Sequence, residues 1–488
     1  MKNTLEEALA RTSPRLVPPR TPFASIAIHL GVMALWFVLF ARAFFLQGVV
    51  AWSTGIAYVV YDTVLLLFVA WKARVLLAPA VTPAAAGEAK LPTLGVIVAA
   101  HNEAAVLPIT LDALFAQTRA PQQIVIADDG SSDGTAALLA QRYGLADPGV
   151  GQMSAPSPQY PNLRWLKLAH GGKARALNAA LLAIATETVM TVDADTLLEP
   201  DACAAMASAF GREPALVAAA GLLTPVCDHT LSGRFFQWFQ TYEYIRNFIS
   251  RFAWMRADSL LLISGAFAGF RRDAVMAVGG FDADCLVEDY ELIHRLRRYS
   301  ARKGLGWDVR VLGTARARTD APGTLTTFLR QRRRWFAGFL QTQYWYRDMT
   351  GNRLYGKLGL MMLPVKAFDT VQPIYGLTAF ALLIGFLFDG RFTIVLPVLG
   401  VIVGKIAIDL AFHMYSVHLY RRWSGDRTHS SFGMAFLAAI FEPFSFQLMR
   451  HSGAALGWLH FLLGRRKWGV QNRTGLAAAR SRESAASQ

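Results

Sequence analysis

Four apolar runs constrain this chain more than any other feature. Phe23–Phe45, Val49–Ala70, Val371–Phe388 and Phe392–Met414 each come close to the ~20 residues that carry a helix across hydrocarbon. Nearly 300 residues of polar, ordinary-looking sequence separate the second run from the third. A fifth apolar region, Phe432–Leu463, is interrupted by Glu442, Pro443, Arg450 and His451. Composition agrees with a membrane protein: of 488 residues 53% are hydrophobic and only 17% charged, too apolar for a soluble enzyme of this size.

Basic residues fix the expected orientation. Arg11, Arg15 and Arg20 precede the first span, Lys72, Arg74 and Lys90 follow the second, and Arg421, Arg422 and Arg427 follow the fourth. The Leu46–Gly48 turn carries no charge, with only Arg42 close by. By the positive-inside rule the central block is cytosolic, as is the tail with Arg465, Arg466, Lys467 and Arg473. An odd fifth crossing would strand that tail, so Phe432–Leu463 reads as a re-entrant or interfacial segment, or a short hairpin. The first span is not expected to be a cleaved signal, because a second span follows at once and no small-residue cleavage site is evident. The expected organisation is a cytosolic tail 1–22, two spans 23–77, a linker 78–93, a cytosolic domain 94–350, interfacial and membrane helices 351–464, and a basic tail 465–488. A second linker is expected at Asp147–Pro161, rich in Pro, Gly and Ser.

The net charge of +15 gathers at membrane flanks and around Phe328–Arg334. Anionic lipid and an anionic nucleotide explain it better than nucleic acid. Cys203, Cys227 and Cys285 have no paired spacing, so neither disulfide nor zinc is expected.

The central block alternates. Strands are expected at Leu94–Ala100, Gln123–Asp128, Leu163–Leu168 and Glu187–Asp193, with helices after Asn102, after Asp133 and at Lys173–Ala185. This is a βαβ pattern with a parallel sheet, in which ligands bind at the carboxyl ends of strands. Two acidic motifs sit at such ends. Asp128-Asp129-Gly130-Ser131-Ser132-Asp133 suits either a turn with an Asp N-cap or a pocket in which Asp129 accepts from a nucleobase imide. Asp193-Ala194-Asp195 places two carboxylates one residue apart, able to share a hard divalent cation that would neutralise a pyrophosphate. Between them, Gly171-Gly172-Lys173 puts a cation at a helix start, where it meets phosphate or is simply exposed.

Val287-Glu288-Asp289 is a helix cap or a catalytic acid. Asp289 is the best candidate general base for accepting a hydroxyl proton, with Glu288 and Glu291 as substitutes. In Gln331-Arg332-Arg333-Arg334-Trp335, a helix would align Gln331, Arg334 and Trp335. An amide, a guanidinium fork and a broad ring suit a sugar diphosphate beside a stacked acceptor sugar, although a basic helix against anionic lipid has the same composition.

Taken in order, NE, DDGSSDGT, GGKARALN, DAD, VED and QRRRW resemble the membrane-embedded family 2 glycosyltransferases, which include cellulose, hyaluronan, chitin and poly-N-acetylglucosamine synthases. The resemblance covers about Leu94–Tyr346. It implies a GT-A fold, α/β and Rossmann-like, inserted between membrane helices, with a UDP-sugar donor, Mg²⁺ or Mn²⁺, and inverting β-transfer. By the same resemblance Asn102 and Glu103 lie beside the nucleotide, Asp129 binds uridine, Lys173 meets nucleotide or phosphate, and Asp193 and Asp195 hold nucleotide and metal. Asp289 is the base, and Gln331, Arg334 and Trp335 position diphosphate and acceptor, with Glu288 also near the acceptor. The chain departs from some members in having VED rather than TED and Asp320 where Glu is common. Only 19 residues follow Gly469, so the cyclic-di-GMP-binding PilZ domain of bacterial cellulose synthases is not expected, and regulation of that kind would need a partner subunit. The compact layout looks most like poly-N-acetylglucosamine and chitooligosaccharide synthases, pointing to GlcNAc or glucose as the donor sugar.

Asp62 in the second span and Lys405, Asp409 and His413 in the fourth are costly in hydrocarbon, at least ~2.5 kcal/mol each before pairing. They are expected to be either a self-neutralising cluster or a polar path for polysaccharide. Three functions fit: a processive polysaccharide synthase coupled to export, with an export or regulatory partner; an enzyme adding one sugar to a lipid such as ceramide or diacylglycerol; and a channel or scaffold that binds UDP-sugar without turnover.

Overall fold

A computed structural model describes residues 2–78 and 91–464. The basic tail and most of the Ala78–Pro92 linker, with Lys90, lie outside the described residues. Helix α1 (Lys2–Thr12) comes first, followed by the apolar α2 (Phe23–Arg42) and α3 (Ser53–Ala73). The chain then alternates: β1 (Leu94–Ala100), α4 (Leu107–Phe115), β2 (Gln123–Asp128), α5 (Thr135–Tyr143), β3 (Leu163–Lys167), α6 (Lys173–Ala183) and β4 (Thr188–Asp193). Runs such as Leu-Gly-Val-Ile-Val-Ala-Ala in β1 are buried almost throughout, the signature of a strand covered by helices on both faces. β1 pairs in parallel with β2 and β4, and β2 with β3, so this half of the sheet is the expected one.

The other half is mixed. It comprises β5 (Thr196–Leu198), α7 (Ala202–Arg212), β6 (Leu216–Val226), the long α8 (Leu231–Arg256), β7 (Phe267–Arg271), α9 (Arg272–Val278), α10 (Glu288–Lys303), β8 (Asp308–Asp320) and α11 (Leu325–Trp345). The eight strands run β3-β2-β1-β4-β7-β6-β8-β5. β7 is antiparallel to both β4 and β6, and β5 to β8. The Pro/Gly/Ser-rich segment read as an internal linker is bound instead: Ser154 and Ser157 donate backbone N–H groups to Trp165 and Leu163, so the segment covers the edge of β3.

The chain closes with α12 (Leu363–Phe388), α13 (Phe392–Ser424), α14 (Phe432–Phe441) and α15 (Phe446–Leu462). Among the described residues four helical stretches are long and apolar enough to cross a bilayer: Phe23–Arg42, Gly48–Leu77, Leu358–Phe388 and Phe392–Ser424. α14 and α15 are bent by 51° at a break after Glu442–Phe444. Both lie against the domain. Glu442 receives two bonds from Arg246 of α8, at 2.6 and 2.7 Å, and Trp238 of α8 donates to the Met434 carbonyl. α15 runs along α11, where a side chain at Gly457 would fall 2.8 Å from Phe336 Cβ and 3.1 Å from the Ala337 nitrogen. Only the missing side chain lets the helices approach so closely.

The charges of the membrane helices neutralise one another. Lys405 lies 2.7 Å from Asp62 and is bonded to Asp409, while His413 turns toward Glu442 at 3.4 Å and contacts Arg246.

Candidate active site

The carboxyl ends of β1 and β2 form a lip of loops. Asn102 takes a left-handed backbone (φ 57°), a conformation Asn tolerates better than most residues. Its carboxamide oxygen accepts from the Ser132 and Asp133 amides at 2.7 and 3.2 Å, and its own N–H donates to Ser131 Oγ. Glu103 follows, its carbonyl capping the turn into α4. Asp129 is buried, and its carboxylate accepts from the Gly171 and Gly172 amides at 2.7 and 2.9 Å. That ties the lip to the loop that delivers Lys173. His101 and His170 stack above it, ring centroids 4.4 Å apart, each with Nδ1 near the Asp129 carbonyl.

Beside the lip opens a cavity of about 830 Å³. It brings together Lys173, Asp193, Asp195, Glu288, Asp289, Gln331, Arg334 and Trp335, while Asn102, Glu103 and Asp129 stand outside its walls. β4 delivers Asp193 and the turn after it Asp195; the Asp320 amide at the end of β8 donates to the Asp195 carbonyl. Lys173 Nζ lies 2.5 Å from Asp193 and 3.7 Å from Glu288. Burial works against its charge, but these carboxylates outweigh burial and hold the ammonium above its usual range. Burial conversely pushes the Glu288 carboxyl up, against the pull of Lys173.

Asp289 is held at both oxygens, accepting from Gly265 N at 2.6 Å and Tyr290 N at 2.8 Å. A Cβ at Gly265 would meet Asp289 atoms at 3.0 Å, so glycine is needed for the backbone to approach. Glu291, two residues on, points elsewhere. It is fully buried, paired with Arg295 at 2.8 Å and bonded by Tyr346 at 2.5 Å, which removes it as a substitute base.

α11 starts at a Thr324–Thr327 capping box and carries Gln331, Arg334 and Trp335 along the opposite wall. Gln331 is 8% exposed, and its buried Oε1 has no hydrogen-bond partner among the described residues. Arg334 donates to the Leu286 carbonyl at 3.1 Å, just ahead of Glu288 and Asp289. Arg332 lines the cavity as well, forming two bonds to Glu243 of α8 at 2.9 and 2.6 Å while its guanidinium lies 4.7 Å from the Trp335 ring.

Sequence reasoning missed the wall made by α8. Tyr244, Phe248 and Arg251 line the cavity at helical spacing, a mixed aromatic and cationic face that the Tyr-Ile-Arg-Asn-Phe-Ile-Ser-Arg run already displays. Lys366 of α12 and Arg450 of α15 reach the same cavity, whereas Asp62, Lys405 and Asp409 do not line it.

Asp193 and Asp195 present hard oxygen donors, and the close ammonium on Asp193 shows that positive charge is favoured there, so this wall fits Mg²⁺ or Mn²⁺. A second grouping, His101, Asp129 and His170, has ligand atoms within 4.8 Å of one another, with imidazole donors of a softer kind.

Residues 95–279 match Glycosyl transferase family 2, and residues 188–404 match Glycosyl transferase family group 2. The chain is 26% identical over 285 residues to a poly-β-1,6-N-acetyl-D-glucosamine synthase of Staphylococcus epidermidis, covering 57% of this chain and 62% of that protein. It is 29% identical over 245 residues to the synthase of Staphylococcus aureus (strain COL), covering 50% and 53%. The match thus spans little more than half the length of these curated relatives. Among solved structures, a mannosyltransferase from Pyrobaculum calidifontis in complex with GDP-Man and Mn²⁺ aligns at a TM-score of 0.52 and 21% identity, over 81% of this chain and 99% of that one, which establishes a shared fold. Two overlapping matches run from residue 95 to 404, around a GT-A sheet and its cavity, so this part of the chain carries glycosyl transferase family 2 domains.

Proposed function

We propose that this protein is an inverting membrane glycosyltransferase that moves GlcNAc, or alternatively glucose, from a UDP-sugar onto a growing β-linked polysaccharide, processively and with export of the product. The observation that carries this reading is the single cavity joining the Lys173, Asp193 and Asp195 wall to Asp289 and the Gln331, Arg334 and Trp335 face. Poly-N-acetylglucosamine synthases among the relatives favour GlcNAc.

In this reading Asn102, Glu103 and Asp129 shape the loops that receive the uridine, and Lys173 and Arg334 meet the diphosphate. Asp193 and Asp195 hold Mg²⁺ or Mn²⁺, which supplies charge neutralisation for the departing UDP. Asp289, fixed by two backbone amides, takes the proton of the acceptor hydroxyl as that oxygen attacks the anomeric carbon from the face opposite the leaving group. Gln331 Oε1, buried and open to a donor, receives a sugar hydroxyl, and Trp335 and Glu288 complete the acceptor seat. The basic flanks support a domain on the cytosolic side of the plasma membrane, the inner one in a double-membraned cell.

A second reading has one specific support. The cavity wall toward the membrane helices carries Phe336, Phe339, Met362 and Ala454, an apolar surface suited to a lipid acceptor such as ceramide or diacylglycerol. The test is to incubate membranes containing the protein with radiolabelled UDP-GlcNAc or UDP-Glc plus Mg²⁺ or Mn²⁺, and to size the product against an Asp289→Asn control. An Asp289-dependent polymer from one donor supports the synthase, and a small organic-extractable product supports the glycolipid enzyme. Absence of any labelled product with either donor overturns both.

A further inference from the structure

Among the described residues, four cations of the cavity sit beside a carboxylate. Lys173 is paired with Asp193, Arg332 with Glu243, Lys366 with Asp369 at 2.6 Å, and Arg450 lies 3.7 Å from Glu243. Arg251, in the last turns of α8, is different. Its Nε and Nη1 are both buried without a hydrogen-bond partner, and among the described residues it forms no ion pair. Its guanidinium lies over the Phe248 ring at 4.8 Å. Burial lowers its pKa to about 10, with Tyr244 and Asp289 the nearby groups that oppose the drop. A buried guanidinium with idle N–H groups is destabilising, and such a group persists where a ligand completes it.

The surroundings narrow the ligand. Asp289 and Glu288 share the cavity with Arg251, so a full anion beside it would face carboxylate repulsion, and a neutral oxygen acceptor would not. Phe248, Leu260 and Ile263 offer an apolar surface along the same wall. A group with one strong acceptor oxygen and one small apolar face satisfies both demands, and an acetamido substituent on a sugar has that form: a carbonyl for the guanidinium and a methyl for the apolar wall. The Asp289 end is where the acceptor hydroxyl must lie, which puts Arg251 on the acceptor side.

Resting on the synthase reading above, we propose that Arg251 is an acceptor-specificity residue that donates to the acetamido carbonyl of the acceptor sugar, so that the cavity selects an N-acetylated chain end over a plain glucose one. The test uses the full-length protein in lipid nanodiscs with saturating UDP-GlcNAc and Mg²⁺ or Mn²⁺, measuring KM for β-linked disaccharides of GlcNAc and of glucose. The wild type should favour the GlcNAc disaccharide by about tenfold or more in KM, the scale of one hydrogen bond to a charged group. Arg251→Met should bring the two KM values within about twofold, because the lost contact exists with one acceptor alone. Arg251→Lys, which keeps a charge and a donor but loses the fork, should retain part of the preference. An unchanged preference in Arg251→Met overturns the proposal. So does equal weakening toward both acceptors at an unchanged melting temperature, or a rise confined to the KM for UDP-GlcNAc, which would assign Arg251 to the diphosphate. A preference for a phosphorylated acceptor that vanishes in both variants overturns it in favour of an anion site. A wild type that turns over no UDP-sugar at all refutes the underlying function instead.

Discussion

The membrane helices and the cavity both bury charge, and they differ in how completely it is paired. In the helices Lys405 sits between Asp62 and Asp409, and Arg246 sits against Glu442 and His413, so each charge meets its opposite. In the cavity Lys173, Arg332 and Lys366 are paired too, but among the described residues Gln331 Oε1 and two nitrogens of Arg251 have no hydrogen-bond partner; in the membrane helices such atoms belong to uncharged groups, as in Tyr375 and Ser416. Burying a polar atom without a partner is destabilising, whereas a closed pair is close to neutral. The contrast separates groups that hold the protein together from groups kept ready for substrate, and it turns the Lys405 cluster away from a polysaccharide path and toward structure.

The largest blow to the cavity side should come from Asp289→Asn, which keeps the shape and the Gly265 contact but removes the proposed base. Sugar transfer should fall about 10²–10⁴-fold while the melting temperature holds; transfer within a few-fold of wild type would deny Asp289 its role. The corresponding blow to the membrane side is Lys405→Leu. It leaves Asp62 and Asp409 buried beside one another and should cost about 3–5 kcal/mol of stability, read as a lower melting temperature with turnover per folded molecule preserved. Adding Asp62→Asn and Asp409→Asn should recover part of the loss. Lost polymer export with unaltered stability would restore the path. A smaller effect is expected from Gln331→Leu: a loss of about 1–3 kcal/mol in acceptor recognition, seen as a higher acceptor KM, with no loss of stability because the removed atom had no partner. The smallest concerns the thiols. Burial pushes Cys203 and Cys227 up to about 12, so neither should be alkylated by iodoacetamide at pH 8 until the chain is unfolded, and rapid labelling would contradict the burial of this half of the sheet.

The parallel half of the sheet was legible because β1, β2 and β4 are covered on both faces and therefore read as unbroken apolar runs ended by acidic turns. The mixed half was harder. β8 alternates buried and partly exposed residues along Asp308–Asp320, a period-two signal lost among its many arginines. α8 lies between the sheet and the membrane helices, so apolar side chains point in several directions and no single stripe marks it. Among site residues, Lys173, Asp193, Asp289 and Gln331 were conspicuous as sequence motifs. Glu291 was not separable from Asp289 until Arg295 and Tyr346 were seen around it. Arg251 belongs to no acidic or basic motif, and its importance lies in contacts it does not make, which one dimension does not display.

The glycines of α15 carry a mechanical consequence. Because Gly453 and Gly457 bring α15 onto the backbone of α11, with Arg332 Cβ and Phe336 Cβ in the way of any larger residue, the two helices are geared together. A slip of α15 along its axis would therefore have to move α11, and with it Gln331, Arg334 and Trp335.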